Sequence, residues 1–216
     1  MCSKPTWMPL FVDVQKRRVV IVGGGRIAAR KLAEVPTGGR WVVIAPVISE
    51  SIRERMRTDA GHWEARMFCP TDVQAGDLVI GAVDDPAVGR EIAAAAAAAG
   101  AWYNDASDVA GGDVLLPASG RDKAVTWAVS TGGASPRLLK LLKDDWDRQY
   151  GMLGTIAEEL AQWRTTVKTL LPTQKLREQF WRRYLPEDTL ARVRRGEWEQ
   201  IKEEMEDAIS RLRVKS

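Results

Sequence analysis

Hydrophobic and polar positions alternate in blocks over the first hundred residues of the chain. Short apolar runs rich in β-branched residues, typical of buried strands, are separated by longer segments with helical periodicity. The predicted strands are 10–14, 18–22, 40–45, 64–68 and 78–83. The predicted helices are 26–35, 48–58 and 86–99, and the last of them is alanine-rich and ends before Gly100. This order predicts an α/β fold with a parallel sheet and helices on both of its faces.

Three consecutive glycines follow the predicted strand 18–22 and precede a helix. The residues of this strand–turn–helix that we predict to bind a cofactor are Gly23, Gly24, Gly25, Arg26, Ile27 and Ala28. In the spacing G-x-G-x-x-A, Gly23 permits a tight turn, Gly25 leaves room for a pyrophosphate, and Ala28 lets the helix pack closely on the strand. Unpaired amides and the helix dipole would face the phosphates. The motif therefore predicts a Rossmann-type dinucleotide-binding domain, with a bare structural turn as the alternative.

The alternation stops after residue 112. Residues 114–117 and 124–130 are predicted to form two strands joined by the polar turn 119–123. In the loop that follows, Ser135 is the predicted N-cap of a helix over 137–149, and Pro136 is its first helical residue. This segment is predicted to be a separate small unit.

From Met152 onward the pattern is almost entirely helical, and the tryptophans in this tail are expected to pack between helices. We therefore predict three segments. They are an NAD-binding Rossmann domain (1–112), a strand-pair unit for dimerisation and the substrate cleft (113–150), and a helical C-terminal domain (151–216).

Composition narrows the possible partners and compartments. The 216 residues include 32 basic and 29 acidic ones, and a net charge of +3 requires neither nucleic acid nor an anionic membrane as a partner. The two cysteines, Cys2 and Cys69, form no C-x-x-C pattern, so we expect no disulfide framework and no metal site. Without a long apolar run the protein is expected to be cytoplasmic, neither secreted nor membrane-spanning.

Several motifs between residues 9 and 145 carry a family resemblance. They are Pro9-Leu10-Phe11, the GGG-x-x-A-x-RK element at 23–31, Ala82-Val83-Asp84-Asp85, Tyr103-Asn104, Leu116-Pro117-Ala118 and the S-T-G-G-A-S-P loop at 130–136. With these motifs the chain resembles the precorrin-2 dehydrogenase and sirohydrochlorin ferrochelatase family, which includes the N-terminal part of sirohaem synthase.

The resemblance implies an enzyme that oxidises precorrin-2 to sirohydrochlorin with NAD, in sirohaem or cobalamin biosynthesis. It implies a homodimer and adds cofactor-binding residues to those of the glycine loop: Pro46, Val83, Asp84 and Asn104. Some relatives also insert iron or cobalt. Because no second glycine-rich domain follows, we expect a stand-alone form without methyltransferase activity.

The tetrapyrrole substrate carries carboxylates around its rim, and cations with helix-start amides could neutralise them. The predicted substrate-binding residues are Arg121, Lys123, Thr131, Gly132, Gly133, Ser135 and Arg137. The alternative is that the cations form a solvated helix face.

The chain departs from the family at one position. Relatives carry an aspartate three residues after the asparagine of the Tyr-Asn element, and Ser107 occupies that position here. Asp105 and Asp108 flank it, so the predicted catalytic residues are Asp105, Ser107 and Asp108. Both aspartates could instead be turn residues. The departure weakens the expectation of metal insertion more than that of oxidation, because metal insertion requires a base for the pyrrole protons.

The sequence leaves open whether the cofactor is NAD or NADP, and it allows two other classes of function. The predicted strand 40–45 is not followed by the acidic residue that usually binds the adenosine ribose, and Arg26 or Arg53 could accept a 2′-phosphate. NAD is favoured by the resemblance alone. A non-catalytic nucleotide-sensing module and another small-molecule NAD dehydrogenase are the competing functions. Dehydrogenases for small oxo- or hydroxy-acids commonly use a histidine as the acid–base group. The only histidine of this sequence, His62, is poorly placed for that role.

Dimerisation is predicted through residues 113–150. A strand pair this small cannot bury both of its faces alone. The following helix also has more apolar residues than one buried face needs, namely Leu138, Leu139, Leu141 and Leu142.

Overall fold

The computed structural model describes residues 6–108 and 111–214. By its internal contacts the chain divides into two compact units. The first contains Met1–Pro117 and Gly132–Ala134, and the second contains Ala118–Thr131 and Ser135–Ser216. The division into three segments at residues 112 and 150 stays a prediction.

The first unit is a five-stranded parallel sheet between helices. Its strands are β1 (Arg18–Val22), β2 (Arg40–Ile44), β3 (His62–Glu64), β4 (Leu78–Gly81) and β5 (Trp102–Asp105). Its helices are α1 (Arg26–Glu34), α2 (Glu50–Thr58) and α3 (Pro86–Ala99), and a 3₁₀ turn lies at Pro70–Asp72. The strand order is β3-β2-β1-β4-β5, and all pairs are parallel. This arrangement confirms the predicted α/β fold class.

Both faces of the sheet are covered, which explains why its central strands are apolar without interruption. Alternate residues of β1 point to opposite faces. Val19 and Ile21 join a core with residues of α1 and α2, whereas Val20 and Val22 join a second core with residues of α3. Gly100 ends α3 in the left-handed conformation, as predicted.

Two strand predictions in this unit need correction. Residues 10–14 form no strand, because Leu10 and Phe11 are exposed and only Val14 packs against the core. The strand predicted at 64–68 lies earlier, at His62–Glu64. After it the Arg66 side chain bonds back to Glu64 and on to Asp72.

The second unit consists of a β-hairpin and five helices among its described residues. The elements are β6 (Ala118–Asp122), β7 (Val125–Val129), α4 (Pro136–Tyr150), α5 (Leu153–Leu170), α6 (Gln174–Tyr184), α7 (Thr189–Arg194) and α8 (Trp198–Val214). β6 and β7 are antiparallel. The hairpin is tied to α5, since the Asp122 carboxylate accepts a hydrogen bond of 2.7 Å from the Gly154 amide.

The first hairpin strand was predicted in the wrong place. Residues 114–117 form no strand, and Val114 and Leu116 instead pack against the core of the first unit, to which they belong. The polar residues predicted as the turn 119–123 form most of β6, and the turn lies at Lys123 and Ala124. Lys123 adopts a positive φ of 47° there. Polarity suggested a turn, but a hairpin strand with one exposed face tolerates polar residues.

The helical tail has two cores of its own. One contains Val167, Phe180 and Met205, and the other contains Trp198 and Ile201. Trp198 is buried, and Trp163 and Trp181 are half-buried against these cores, which confirms packing as their role. By contrast, α4 has no buried residue. Within 6–108 and 111–214, no helix combines the length and the apolar character needed to span a membrane.

Candidate functional site

The glycine loop lies where the chain order of the sheet reverses. β1 pairs with β2 on one side and with β4 on the other, so a crevice opens beyond the carboxyl ends of β1 and β4. Ligands of open α/β sheets bind at such a switch point. The loop 23–25 connects β1 to α1 at this position.

Gly23 and Gly24 are required by the packing of the protein itself. Gly23 has a φ of 120°, and a Cβ there would clash with the carbonyl oxygen of Ala82. A Cβ on Gly24 would clash with the carbonyl oxygen of Val47. The loop is also held by hydrogen bonds, from the Gly23 amide to the Ile44 carbonyl at 3.0 Å and from the Ser49 amide to the Gly24 carbonyl at 2.8 Å. These two glycines fix the shape of the turn.

Gly25 differs, because its missing side chain leaves open space. A Cβ at this residue would meet no described atom within 4 Å, and its φ of −82° is accessible to any residue. The packing of the protein therefore does not require glycine here. The space is instead available to a ligand that approaches the backbone, which is the function predicted for this position.

The N-terminus of α1 is equipped to meet an anion. Gly25 is its N-cap residue and provides no side-chain hydrogen bond, and no acidic residue lies in the first turn. The first amides of the helix therefore lack a side-chain acceptor. Ala28 is fully buried in the core, which confirms the close helix–strand packing predicted from its size. Amides and dipole together favour a bound phosphate.

A cleft of about 500 Å³ opens over this loop, and we call it the glycine-loop cleft. Its volume lies within the range of small-molecule sites. The predicted residues that line it are Gly23, Gly24, Gly25, Arg26, Ile27, Val83 and Asp84. Four further lining residues were not predicted as site residues: Met67, Ala82, Asp85 and Val88.

The sequence held a signal for some of these four and none for Met67. Ala82 and Asp85 belong to the A-V-D-D motif, and Asp85-Pro86 is a recognisable helix start. The Asp85 carboxylate caps α3 by accepting a hydrogen bond of 2.7 Å from the Ala87 amide. Met67 reaches the cleft from the irregular segment after β3, whose path no local pattern specifies.

Three predicted cofactor residues do not line the glycine-loop cleft. Ala28 is buried beneath it, Pro46 is an exposed residue beyond β2, and Asn104 is a buried residue of β5. The Asn104 amide group donates a hydrogen bond of 2.8 Å to the Val114 carbonyl. Asn104 therefore holds the segment after β5 against the sheet.

The three predicted catalytic residues lie together at the carboxyl end of β5. One carboxylate oxygen of Asp105 accepts three hydrogen bonds, from the Ser107 hydroxyl at 2.6 Å, the Ser107 amide at 2.8 Å and the Asp108 amide at 3.1 Å. This is the geometry of an Asx turn. Ser107 and Asp108 are exposed, and Asp105 is half-buried.

The charge state of Asp105 is set by burial and by its donors. Burial of the carboxyl favours its protonated form, but the hydrogen bonds from Ser107 and Asp108 outweigh this effect and lower the pKa of Asp105. Burial and the nearby Asp105 carboxylate raise the pKa of Tyr103 to about 12. At neutral pH the pair is therefore a carboxylate beside a neutral phenol.

The residues predicted to bind the substrate lie in the hairpin and in the loop that leads to α4. Lys123 bonds to Thr155 at 2.9 Å and pairs with Glu158 at 3.4 Å, both on α5. The Ser135 hydroxyl accepts a hydrogen bond from the Leu138 amide, which confirms it as the N-cap of α4. The Thr131 hydroxyl in turn accepts from the Ser135 amide.

The other predicted substrate-binding residues are more exposed. Gly132 and Gly133 both have positive φ values, of 59° and 82°, which shape the loop before Ser135. Arg121 on β6 and Arg137 on α4 are exposed. Neither arginine has an ion-pair partner within the described part of the chain.

The residues present fit a dinucleotide better than a resident metal. The open cradle at Gly25 and the uncapped helix match a pyrophosphate, and apolar side chains of Ile27, Met67 and Val83 offer a surface to a ring. Across residues 6–108 and 111–214, no three histidine, cysteine or acidic side chains are grouped so as to hold a metal ion.

Comparison with known families agrees with this geometry. A family described as "Putative NAD(P)-binding" matches residues 10–118, which is half of the chain. A second family, described as "Sirohaem synthase dimerisation region", matches residues 152–209. The second match lies C-terminal to the segment 113–150, for which the sequence predicted subunit contacts.

Individual relatives and a solved structure extend the comparison. The sirohaem synthase of Zymomonas mobilis is 28% identical over 95% of this chain and 44% of the relative. That of Nitrosococcus oceani is 31% identical over 94% of this chain and 44% of the relative. The chain thus spans under half the length of these relatives.

The solved structure of SirC, a precorrin-2 dehydrogenase, has a TM-score of 0.71 at 23% identity and covers 91% of this chain and 100% of its own. Its similarity supports the fold. The family matches and the motifs together confirm the resemblance predicted from the sequence. The chain therefore belongs to the NAD(P)-binding family of sirohaem synthase and its relatives.

Proposed function

We propose that this protein is an NAD-dependent dehydrogenase that oxidises precorrin-2 to sirohydrochlorin in modified tetrapyrrole biosynthesis. The observation that carries the proposal is the open cradle at Gly25, placed at the uncapped start of α1 within a chain of this family. When bound there, the nicotinamide supplies the hydride acceptor. The protein itself needs to bind, orient and shield the reactants.

The glycine loop is the part of the protein that would bind the dinucleotide. Gly23 and Gly24 hold the turn rigid, so the amides at the start of α1 are preorganised for the pyrophosphate. Met67, Val83 and Val88 offer an apolar surface on which a bound ring can pack. No nucleophile is required, because the oxidation removes a hydride and a proton from the substrate.

The substrate carboxylates are assigned to the cations and amides of the hairpin and the S-T-G-G-A-S-P loop. Arg121 and Arg137 are assigned most of these carboxylates, because both arginines are exposed, whereas Lys123 already pairs with Glu158. The hydroxyl of Ser135 is occupied as a helix cap. The loop before Ser135 would therefore bind substrate carboxylates through Thr131 and the amides of Gly132 and Gly133.

We assign proton transfer to the carboxylates beside Ser107. The pKa of Asp105 is lowered by its hydrogen bonds, which makes it a weak base, and the Ser107 hydroxyl cannot deprotonate a pyrrole near neutral pH. The protein is therefore expected to oxidise precorrin-2 and to insert metal poorly. Efficient iron insertion into sirohydrochlorin by the unmodified protein would contradict this part of the proposal.

We further propose that the protein is a homodimer in the cytoplasm. The match to a dimerisation region and the exposed Leu138, Leu141 and Leu142 on α4 support the dimer. The free, exposed thiol of Cys69 fits a reducing compartment. Light scattering at micromolar concentration tests the dimer, and a monomeric mass would contradict it.

The activity is tested by anaerobic incubation with precorrin-2 and NAD while NADH absorbance is recorded. Formation of NADH together with sirohydrochlorin is the expected result, and a reaction without precorrin-2 is the control. A protein that binds NAD but forms no NADH would be a nucleotide-sensing module. Reduction of NAD with hydroxy acids but not with precorrin-2 would indicate another dehydrogenase.

A further inference from the structure

The turn after β5 is built around one carboxylate oxygen. Oδ1 of Asp105 accepts hydrogen bonds from the Ser107 hydroxyl at 2.6 Å and from the amides of Ser107 and Asp108 at 2.8 Å and 3.1 Å. An ionised carboxylate has about two acceptor positions on each of its oxygens. Three donors therefore leave Oδ1 without a free position for a proton from a substrate.

The other carboxylate oxygen of Asp105, Oδ2, lies beside the chain that returns along β5. A Cβ on Gly111 would stand 2.9 Å from this oxygen. The amides of Asp113 and Val114 both donate to the Tyr103 carbonyl at 2.9 Å, which holds the returning chain in place. Tyr103 is buried, and its hydroxyl hydrogen-bonds to the Asp105 carboxylate. Burial raises the pKa of Asp105, but its hydrogen bonds outweigh this effect, so the carboxylate is ionised and engaged by the protein itself.

The same turn fixes the backbone of Asp108 on both sides. Its amide donates to Asp105 at 3.1 Å, and its carbonyl accepts a hydrogen bond of 3.1 Å from the Gly111 amide. The turn is tied to the sheet by the Ala106 amide, which donates at 2.9 Å to the carbonyl of Gly81, the last residue of β4. The Asp108 side chain is exposed. Asp108 thus extends a carboxylate from a fixed backbone at the edge of the sheet where ligands of open α/β folds bind.

We infer that Asp105 is a positioning residue and that Asp108 accepts the proton that precorrin-2 loses, an inference that rests on the proposed function and deepens it. In the oxidation one C–H bond of the substrate breaks, and its electron pair leaves with the hydrogen as the hydride that the nicotinamide accepts. A proton leaves the substrate for the Asp108 carboxylate and passes from there to water. The electron pair that the proton leaves behind forms the new double bond of the product.

The test compares Asp105→Asn, Asp105→Ala and Asp108→Asn in the full chain. Anaerobic kinetics with precorrin-2 and NAD give kcat and KM, and thermal unfolding gives the folded fraction to which kcat is referred. Asparagine keeps an oxygen that accepts the hydrogen bonds of the turn but takes no proton, whereas alanine removes the oxygen as well. Asp13→Ala is the matched control, because the Asp13 carboxylate accepts a hydrogen bond of 3.0 Å from the Gln15 amide in a similar turn without a proposed site residue.

Asp108→Asn is expected to lower kcat by about 100-fold, the usual loss when a positioned base is removed. Asp105→Ala should lower kcat by about 30-fold, because a small displacement of a reacting group is costly. Asp105→Asn should recover most of that loss and stay within about 3-fold of the unmodified protein, since a neutral acceptor keeps the turn with weaker hydrogen bonds. Asp13→Ala should keep kcat within about 2-fold. KM should change less than kcat in the variants of the turn.

Equal losses of kcat in Asp105→Asn and Asp105→Ala would show that Asp105 itself takes the proton and would overturn the inference. An Asp108→Asn protein that turns over as fast as Asp13→Ala would also overturn it. If Asp105→Ala does not fold, the two asparagine variants decide the question, because both keep the shape of the side chain. Failure of the proposed function is distinct, because the unmodified protein would then form no NADH with precorrin-2.

Discussion

The chain has two glycine-rich loops that lead into helices, and they leave those helices in different states. At Gly25 the N-cap residue has no side chain, and the first amides of α1 have no side-chain acceptor. At Ser135 the N-cap hydroxyl accepts a hydrogen bond of 3.2 Å from the Leu138 amide, so α4 is capped by its own residue. Both loops contain glycines with positive φ.

The difference teaches that glycine content alone does not make an anion site. Gly132 and Gly133 shape a turn that places a capping serine at the start of α4. The loop at residues 23–25 instead places a glycine at the N-cap of α1, where no side chain can accept a hydrogen bond. What distinguishes the two is whether a side chain already satisfies the helix amides. The four predictions below alter one loop or the other, from the largest expected effect to the smallest.

Gly25→Asp should abolish dinucleotide binding. The new carboxylate would cap α1 and lie against the pyrophosphate, and two unit charges 4 Å apart repel by about 4 kcal/mol at an effective dielectric constant of 20. Affinity for NAD, measured by calorimetry, should fall ~1000-fold. The fold should persist, because a side chain here meets no described atom and aspartate is a favourable cap.

The matched control is Gly89→Asp in α3. A Cβ at Gly89 also meets no described atom, and the residue does not line the glycine-loop cleft. This variant should bind NAD as the unmodified protein does. A folded Gly25→Asp protein with unchanged affinity would disprove the glycine-loop assignment.

Gly23→Ala should unfold or strongly destabilise the first unit. Its φ of 120° is unfavourable for alanine, and the added Cβ would clash with the Ala82 carbonyl. Strain of this kind costs ~3 kcal/mol, so the thermal midpoint should drop by several degrees. Gly89→Ala, in open space, should keep or raise the midpoint. Equal midpoints for the two variants would show that the turn tolerates a side chain.

Ser135→Ala removes the cap of α4 and should cost about 1 kcal/mol of stability, as lost caps usually do. Binding of NAD should not change, because Ser135 is no part of the glycine-loop cleft. Denaturant unfolding and calorimetry test the two statements separately. Weaker NAD binding without a stability loss would indicate that the second loop also contacts the cofactor.

Gly25→Ser converts the first loop to the capping arrangement of the second. The N-cap dihedrals of φ −82° and ψ −166° suit serine, so unfolding free energy should rise by a few tenths of a kcal/mol. The hydroxyl would compete with the phosphate for the same amides and lower NAD affinity by about 3-fold, equivalent to about 0.7 kcal/mol. Tighter binding would show that the cap position is not the phosphate site.

Much of the first unit could be predicted because its signals are local. Strands buried on both faces are apolar without interruption, so β1, β2 and β4 were located within two residues, and the alanine run 93–99 and Gly100 identified α3. The glycine loop was equally visible. The contact of Met67 with the cleft could not be predicted, since it depends on the irregular path of the chain after β3.

The hairpin was harder to locate because its stability comes from pairing rather than from its own sequence. Apolar residues Val114 and Leu116 suggested a strand, but they pack against the sheet core. Polar residues from Ser119 to Asp122 suggested a turn, but they pair with β7. Whether such a segment forms a strand or a loop depends on its tertiary contacts and not on its own sequence. The role of Asp105 was likewise ambiguous, since turn-forming and catalytic aspartates carry the same sequence signal.

The path of the chain between the two units has a consequence for how the protein can be divided. The boundary is crossed after Pro117, after Thr131 and after Ala134. A cut in the loop 131–135 would therefore split the second unit, whereas a cut after Pro117 removes only Gly132–Ala134 from the first. The NAD(P)-binding match ends at residue 118, at the same place. A cut after Pro117 therefore separates the two units with the least loss from each of them.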